Sequence, residues 1–504
     1  MKKESYWLAT ALTVHRKKPL KKDIETEVLV IGGGITGVTA ALLLRRAGKQ
    51  VTLVERDSIG QGETGHTTAH LTYMTDTRLS DLVSTFGEAH ALASWDAGAA
   101  AMAQIQELAG EIPMGCDLHI VPGFLAAFKG TSDREKETEQ LVREAHWAIN
   151  HGFDVDHVEH VPATGMPGIR FANQLKFHPI KYLEGLTSLA VKEGVQIFDH
   201  SNVGEFLEKP KRVKVGSNTI AYEKAIIATH MPLQGLSGTL SALLLQTKLY
   251  GYSTYAIQAT APAGSCPEMI WSDTANPFNY LRIEPGKTED VLIFGGQDHR
   301  TGQADDPENC YRKLTETLSD MLPVHRFEHR WSGQVIETPD GLPYIGWIAE
   351  DQFMATGFSG NGFTFGTLAG MMARDMITGK KNPWTELFAP ERKKLSAVWD
   401  YIKENADYPY YLAKDYVSAA EGDKVRDVAP NEGKILKLKG KRVAVCRNGE
   451  GEVTKLSAIC PHLGCIVHWN SAEHTWDCPC HGSRFLADGK LMTGPAETDL
   501  SKVH

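Results

Sequence analysis

An α/β domain carrying an inserted antiparallel sheet, followed by a small all-β module, is the fold predicted by three stretches of this 504-residue chain. Residues 27–55 read strand, glycine turn, helix, strand, which is a β-α-β unit. Residues 245–300 are rich in Tyr, Thr, Val and Ile, the composition of an antiparallel sheet. From Gly433 onward, short apolar runs alternate with Gly and Asn turns, as in a compact all-β module.

Each element can be justified in chain order. Residues 1–23 form a polar leader with basic clusters (Lys2, Lys3, then Arg16, Lys17, Lys18, Lys21, Lys22) and no periodicity. The run Val28–Ile31 ends abruptly in glycines, as a buried strand does. Ile35 to Ala47, rich in Ala and Leu and stopped by Gly48, is a helix with a glycine C-cap. Val51 to Val54 is the next strand and ends at Glu55. Residues 80–150 are mainly helical in pattern, and residues 180–230 return to helix and strand alternation, with Ala225–Ala228 as another parallel strand. Residues 352–378 give a strand, a glycine turn and a long helix. The charged, helical stretch 383–431 is a connector, and residues 432–504 are the all-β module.

Composition excludes several classes. With 53 basic and 62 acidic residues the net charge is −9, so no net positive field exists to hold nucleic acid. No run of 18 apolar residues appears, which speaks against a spanning helix. The basic N-terminus lacks an apolar core and a small-residue cleavage site, so no secretory signal is expected and the cytoplasm is the expected compartment. The eight cysteines are too few for a disulfide scaffold, yet four of them, Cys460, Cys465, Cys478 and Cys480, crowd one short stretch, and such clustering points first to metal.

Two motifs carry the chemistry of the first 382 residues. Gly32, Gly34 and Gly37 form G-x-G-x-x-G between a strand and a helix. The first glycine permits the turn, the second lets backbone approach a pyrophosphate, and the third allows close helix–strand packing. Glu55 ends the following strand, where a carboxylate binds ribose hydroxyls and favours an unphosphorylated dinucleotide, FAD or NAD. Far downstream, residues 338–346 read Thr-Pro-Asp-Gly-Leu-Pro-Tyr-Ile-Gly and residues 355–366 place Gly357, Gly360, Asn361 and Gly362 before a helix. A second glycine turn at a helix N-terminus again points amides and a positive dipole at a ligand.

This pairing of motifs resembles the FAD-dependent D-amino-acid-oxidase-like superfamily, over residues 24–382. The resemblance implies a Rossmann-like FAD-binding domain (segments 24–80, 180–232 and 335–382) with an inserted antiparallel-sheet substrate domain (81–179 and 233–334). Carried over position by position, it implies that Gly32, Gly34, Gly37 and Glu55 bind the ADP half, with the backbone of Val203 on the adenine. Thr67 and Thr68 fall near the pyrophosphate or ring; Gly357, Gly360, Asn361 and Gly362 fall at the isoalloxazine edge, and Asp340 and Gly341 match the family's segment before it. His66 stands where some members attach flavin covalently and others do not; both readings stay open. His66 and His70, four apart, lack the third ligand that a metal site needs.

At the other end the chain reads Cys460-Pro461-His462-Leu463-Gly464-Cys465 and Cys478-Pro479-Cys480-His481-Gly482-Ser483. Cys460, His462, Cys478 and His481 offer two thiolates and two imidazoles. This set matches a Rieske [2Fe–2S] site, in which cysteines hold one iron and histidines the other. The inventory also permits Cys₂His₂ zinc, but the spacing is not that of a zinc finger. The two loops resemble the Rieske family, and in particular its cytochrome-bc type. That resemblance implies a disulfide between Cys465 and Cys480, a Ser483 hydroxyl donating to a bridging sulfide, and a cluster-covering proline loop at Gly494-Pro495-Ala496.

The two resemblances together imply an FAD-dependent oxidoreductase that takes two electrons from an amine or amino acid. It would pass them singly to the Rieske cluster and on to an unknown external acceptor, and would be a dehydrogenase rather than an oxidase. Tyr280 and Arg282 alternate along one strand face and are candidates to point inward, with Arg282 suited to a carboxylate. His299, with Arg300, follows the Gly295–Gly296 turn and is a third candidate. Two other readings remain: a peripheral electron carrier serving a membrane quinone pool through its basic leader, and a redox sensor.

Overall fold

The structure is a computed structural model and describes residues 1–11, 17–130, 132–208, 210–232, 248–304, 306–392 and 420–503. Four sheets organise these residues. The first is centred on Ile24–Ile31, which pairs in parallel with Val51–Val54 on one side and Asn218–Ile227 on the other. Gln196–Phe198 and Gln352–Thr356 extend it in parallel, and Tyr344–Ala349 closes one edge antiparallel. Val28 to Ile31 are each at most 4% exposed, as expected of parallel strands covered on both faces.

The helix Ile35–Arg46 covers this sheet and packs on the helix Gly362–Ile377. Glycine sets how close the two helices come. A Cβ at Gly370 would lie 2.9 Å from the Thr39 side chain and 3.0 Å from the Ala40 nitrogen, and one at Gly366 would lie 2.7 Å from the Thr36 hydroxyl. The contact brings the N-termini of both helices, and so both glycine turns, to one end of the domain.

The second sheet has the long strand Tyr250–Pro262 between Glu289–Arg300 and Arg326–Glu337, all antiparallel. Tyr280–Glu284, Ile270–Asp273, His119–Ala126 and Gly168–Lys176 continue it. The stretch 80–150 is therefore less helical than its pattern predicts: His119–Ala126 leaves the helices to pair in parallel with Ile270–Asp273.

The N-terminal segment also departs from the predicted leader. Lys2–Lys3 pairs with Arg326–Glu337, and Tyr6–Thr10 forms a helical turn capped by Ser5. Trp7 is only 2% exposed. Its indole nitrogen donates to the Thr67 carbonyl at 2.8 Å, and the Arg282 guanidinium lies over its ring at 4.8 Å. A buried indole outweighs the local polarity of the segment, because such a ring buries a large area and gains from a cation on its face.

Of the connector, residues 393–419 lie outside the described residues. Residues 420–431 belong with the module that follows. Gly422 bridges Leu436, and the Glu421 carboxylate accepts from the Ile435 amide at 2.6 Å. That module holds a three-stranded sheet (Glu432–Leu438, Lys441–Arg447, Val453–Ser457) and a four-stranded one (His468–Asn470, Thr475–Asp477, Arg484–Leu486, Leu491–Thr493). No helix among the described residues is long and apolar enough to cross a membrane.

Trp7→Ala is expected to cost about 3–5 kcal/mol, the usual range for a fully buried large aromatic, read as a lowered chemical-denaturation midpoint with unchanged slope. A loss below about 0.5 kcal/mol, as for an ordinary surface change, would show that residues 1–11 are not part of the folded core.

Candidate active site and redox centre

The first glycine turn is built as its spacing predicts. Gly32 has φ +110°, and a Cβ there would lie 2.3 Å from the Ala228 carbonyl oxygen; one at Gly37 would lie 1.9 Å from the Gly32 oxygen. No other residue fits at either position. Glu55 accepts from the Gly33 amide at 2.6 Å and from the Asp57 amide at 2.8 Å. Burial pushes its carboxyl upward in spite of those two donors.

These residues open one large cavity of about 1320 Å³, beyond the roughly 300–1,000 Å³ of a single small-ligand pocket. Gly32, Gly34, Glu55, His66, Thr67, Thr68 and Val203 line it, as do Gly341, Gly357, Gly360, Asn361 and Gly362. The cavity fits a dinucleotide with space left over. It also carries buried polar atoms that meet no protein partner: His230 Nε2, Ser332 Oγ and Gln334 Oε1. His66 lies with Nδ1 3.0 Å from the Gly62 carbonyl oxygen. His70 Nε2 lies 3.0 Å from the Leu281 carbonyl oxygen, and burial lowers the ring to about 4.

Gly37 and Asp340 are placed behind the cavity wall. The Asp340 carboxylate pairs with Arg392 at 2.7 and 2.8 Å and receives the Leu342 amide. It pins the loop that presents Gly341. Gly341, at φ +78°, would place a Cβ 2.3 Å from the Thr77 hydroxyl.

The substrate-side expectations need correction. Tyr280 does face the cavity, with its hydroxyl 2.5 Å from the Thr254 hydroxyl. Arg282 does not. It is 1% exposed, its guanidinium donates to the carbonyls of Ala69 and Phe177 at 2.7 Å each and to Glu284, and it rests on Trp7. A guanidinium so spent on internal partners cannot reach a substrate carboxylate. His299 also turns away, stacking on Tyr255 at 5.5 Å with Nδ1 3.2 Å from the Gln297 carbonyl oxygen.

In place of His299 the strand presents Asp298. The register against Tyr250–Pro262 shifts between Ser253 and Tyr255, and Gln297 sits at φ +61°. This irregularity resets which side chains face inward, so simple alternation along 295–300 could not have found the residue. Burial pushes Asp298 up to about 7; the Thr254 hydroxyl opposes that shift and the Asp76 carboxyl adds to it. Asp76 also lines the cavity, accepts from the Gly360 amide at 2.5 Å, and is pushed up to about 6 by burial.

At the C-terminal module, Cys460 and Cys478 lie side by side, each thiol within hydrogen-bonding reach of the other. The His462 and His481 rings meet edge to face at 4.9 Å, and the Nδ1 atom of each is buried without a hydrogen bond. Burial lowers the two imidazoles to about 4 and about 3, which keeps them in the neutral form that ligates iron. Cys465 and Cys480 are joined in a disulfide that ties the two loops. The sulfurs of Cys465, Cys478 and Cys480 lie within 4.8 Å of one another, but two of them are spent in that bond. The donors left are therefore Cys460, Cys478 and the two histidines, a set that fits a [2Fe–2S] cluster. The Ser483 hydroxyl faces Cys460 and accepts from the Ala496 amide at 3.0 Å.

The two halves meet along one seam that sequence reasoning missed. The Gln334 side-chain amide donates to the Gly482 carbonyl at 2.7 Å, and Gln303 donates to the Pro479 carbonyl at 3.0 Å. A Cβ at Gly302 would lie 2.7 Å from the Pro479 nitrogen. The dinucleotide cavity itself is lined by Gly494, Pro495 and Ala496 as well as by the Gly32 turn.

Comparisons agree with this division. The family model for FAD dependent oxidoreductases matches residues 27–376, and the model for the Rieske [2Fe-2S] domain matches residues 420–504. The Bacillus subtilis protein YhfW, named as a Rieske 2Fe-2S iron-sulfur protein, is 29% identical over 506 residues, covering 99% of this chain and 97% of that one. The iron-sulfur subunit of the Chlorobaculum tepidum cytochrome b6-f complex is 43% identical over 76 residues, 15% of this chain and 41% of that one. Among solved structures, glycine oxidase from Geobacillus kaustophilus superposes with a TM-score of 0.61 at 18% identity, over 73% of this chain and 99% of that one. L-proline dehydrogenase from P. horikoshii gives 0.59 at 20%, over 74% and 98%. At these identities the two structures show a shared fold.

Two outcomes follow from the geometry. The disulfide closes a loop with a sequence separation of 15. Replacing both Cys465 and Cys480 with Ala should therefore cost the module about 3 kcal/mol, seen as a lower melting point of its transition; an unchanged transition would mean that the bond does not constrain the loops. The raised Asp298 carboxyl makes a stability contribution that is complete below its ordinary value of 3.8 and is lost as pH rises through about 7. The apoprotein should lose melting temperature between those limits, and Asp298→Asn should flatten the profile and raise the melting point at pH 8. A variant profile identical to that of the parent would refute the burial of this group.

Proposed function

This chain belongs to the FAD dependent oxidoreductase family and ends in a Rieske [2Fe-2S] domain, and from that footing we propose that it dehydrogenates an amine or amino acid and delivers the electrons through the Rieske domain to an external acceptor. The observation that carries this reading is the seam. The loop bearing Cys478 and His481 is held against the flavin domain by Gln334 and Gln303, and the same cavity touches both domains. Fold neighbours named as a glycine oxidase and an L-proline dehydrogenase support the substrate class.

Bound FAD supplies a two-electron acceptor and the [2Fe–2S] cluster a one-electron carrier. The residues of the chain provide placement. Gly32, Gly34 and Gly37 let backbone reach the pyrophosphate, and Glu55 stands where ribose hydroxyls would exchange with the Gly33 and Asp57 amides. Thr67 and Thr68 line the wall near the ring. Gly357, Asn361 and Gly362 line the cavity at a helix N-terminus, where negative charge is stabilised, while the Gly360 amide is held by Asp76. Cys460, His462, Cys478 and His481 hold the cluster, and the Ser483 hydroxyl beside Cys460 tunes it. Tyr280 and Thr254 shape the substrate end.

The test is anaerobic mixing of the holoprotein with pools of amines and amino acids. Flavin bleaching is followed by absorbance and the reduced cluster by electron paramagnetic resonance. One pool should bleach the flavin, with the cluster signal rising in step. Gln334→Ala leaves the Gly482 carbonyl without its donor, which costs about 1–3 kcal/mol at a buried site. It should slow the rise of the cluster signal more than it slows bleaching, which Gln334 also touches because it lines the cavity. A flavin that bleaches while the cluster stays oxidised in the parent protein would refute the coupling.

A further inference from the structure

The substrate end of the cavity carries carboxyls and aromatic rings, and its cations are already engaged. Asp298 and Asp76 both line the cavity beside Tyr280 and Phe278. The Asp298 Oδ1 atom is buried with no hydrogen-bond partner. Its other interactions are with the Thr254 hydroxyl and with the like-charged Asp76. Asp76 has one donor, the Gly360 amide. Two carboxyls sharing a poorly solvated pocket repel each other, and a buried carboxylate without a partner is costly. A ligand that brings a positive charge relieves both penalties.

Among the described residues, the arginines and lysines that line the cavity are engaged elsewhere. Arg78 binds Glu137 and Glu144, Arg484 binds Asp477, and Arg56 and Lys490 both bind Asp57. Arg282, the arginine on the Tyr280 strand, points into the core. The segment 233–247, outside the described residues, contains no Lys or Arg. Among the described residues, a carboxylate placed beside Tyr280 would thus meet two carboxyls and no uncommitted guanidinium. The tilted pair Phe278–Tyr280, 5.8 Å between centroids, adds ring faces that attract an ammonium group.

We propose that Asp298, with Asp76, forms an ammonium-binding site at the substrate end of the cavity, and that the substrate is a cationic amine with no carboxylate on the carbon next to its nitrogen. This rests on the oxidoreductase reading above and narrows its substrate class. Tyr280 and Thr254 act as positioning residues, because the short contact between their hydroxyls fixes the Thr254 side chain against Asp298.

The experiment is equilibrium dialysis of the oxidised holoprotein under argon, with butylamine, benzylamine and putrescine as cationic probes and with benzoate and glycine as carboxylate probes. At least one amine should bind more tightly than either carboxylate. Loss of one charge partner in Asp298→Asn should weaken that amine about tenfold, equivalent to about 1.4 kcal/mol. Asp76→Asn should weaken it in the same direction, and Asp298→Glu should restore part of the affinity. Benzoate should bind no worse to Asp298→Asn than to the parent. The proposal is overturned if no amine binds, if a carboxylate probe binds more tightly than every amine, or if the amine affinity changes by less than about twofold in Asp298→Asn, too little for a lost charge pair. Bleaching of the flavin by an amino-acid pool together with any of these results removes the ammonium site and leaves the broader reading standing. Failure of both pools to bleach it removes the broader reading itself.

Discussion

The seam between the flavin domain and the C-terminal module is the constraint on which the rest of the redox architecture depends. It combines close backbone approach with side-chain ties such as Gln334 to Gly482 and Tyr311 to Glu473. Gly302 lies where any Cβ would meet Pro479, and a Cβ at Gly251 would lie 3.5 Å from the Gly482 Cα. Gln334 then ties the Gly482 carbonyl to a strand of the second sheet. A glycine-lined contact of this kind leaves little space for a larger side chain at Gly302, where a Cβ would lie 2.7 Å from the Pro479 nitrogen. Holding one cluster loop there fixes its position against the flavin domain.

The flavin domain spends its charges in a related way. Arg282 and Lys176 are both almost wholly buried, and both are neutralised internally, Arg282 by Glu284 and backbone carbonyls, Lys176 by Glu268 and Glu284. Breaking such a buried pair strands a charge and is strongly destabilising. The result is a sheet whose inner cations hold strands together, and whose cavity face keeps only the hydroxyls and carboxyls near Tyr280. The N-terminal helical turn belongs to this arrangement, since Trp7 covers the guanidinium that would otherwise face outward.

Some of this was legible in the sequence because it depends on local backbone geometry. A turn that must pass under Ala228 needs glycine at 32, and a helix that must sit on that turn needs glycine at 37, so the motif survives as a spacing. The Cys and His residues of the module are likewise read from two short loops whose spacing restricts the donor set. Arg282 and His299 were misjudged for a physical reason. Alternation along a strand tells which side chains share a face, but not which face is the core, and a bulge at Gln297 breaks the alternation itself. The N-terminal segment was misread because its one decisive feature, a buried indole, has no periodicity to announce it.

The sequence by itself determined the two glycine turns, the acidic end of the second strand, the cysteine–histidine loops and the order of the two domains, because each shows as a short spacing or as order along the chain, even where the contact that demands it is distant, as at Gly32 under Ala228. Only the tertiary structure decided that both glycine turns share one end of the domain, that Asp298 and Asp76 line one cavity with Tyr280, and that Gln334 holds the cluster loop. Those contacts join residues more than a hundred positions apart, or depend on a register shift, and no local spacing encodes them. Chain packing selects among the inward-facing candidates by burying the ones it can neutralise, and it leaves the others at the site.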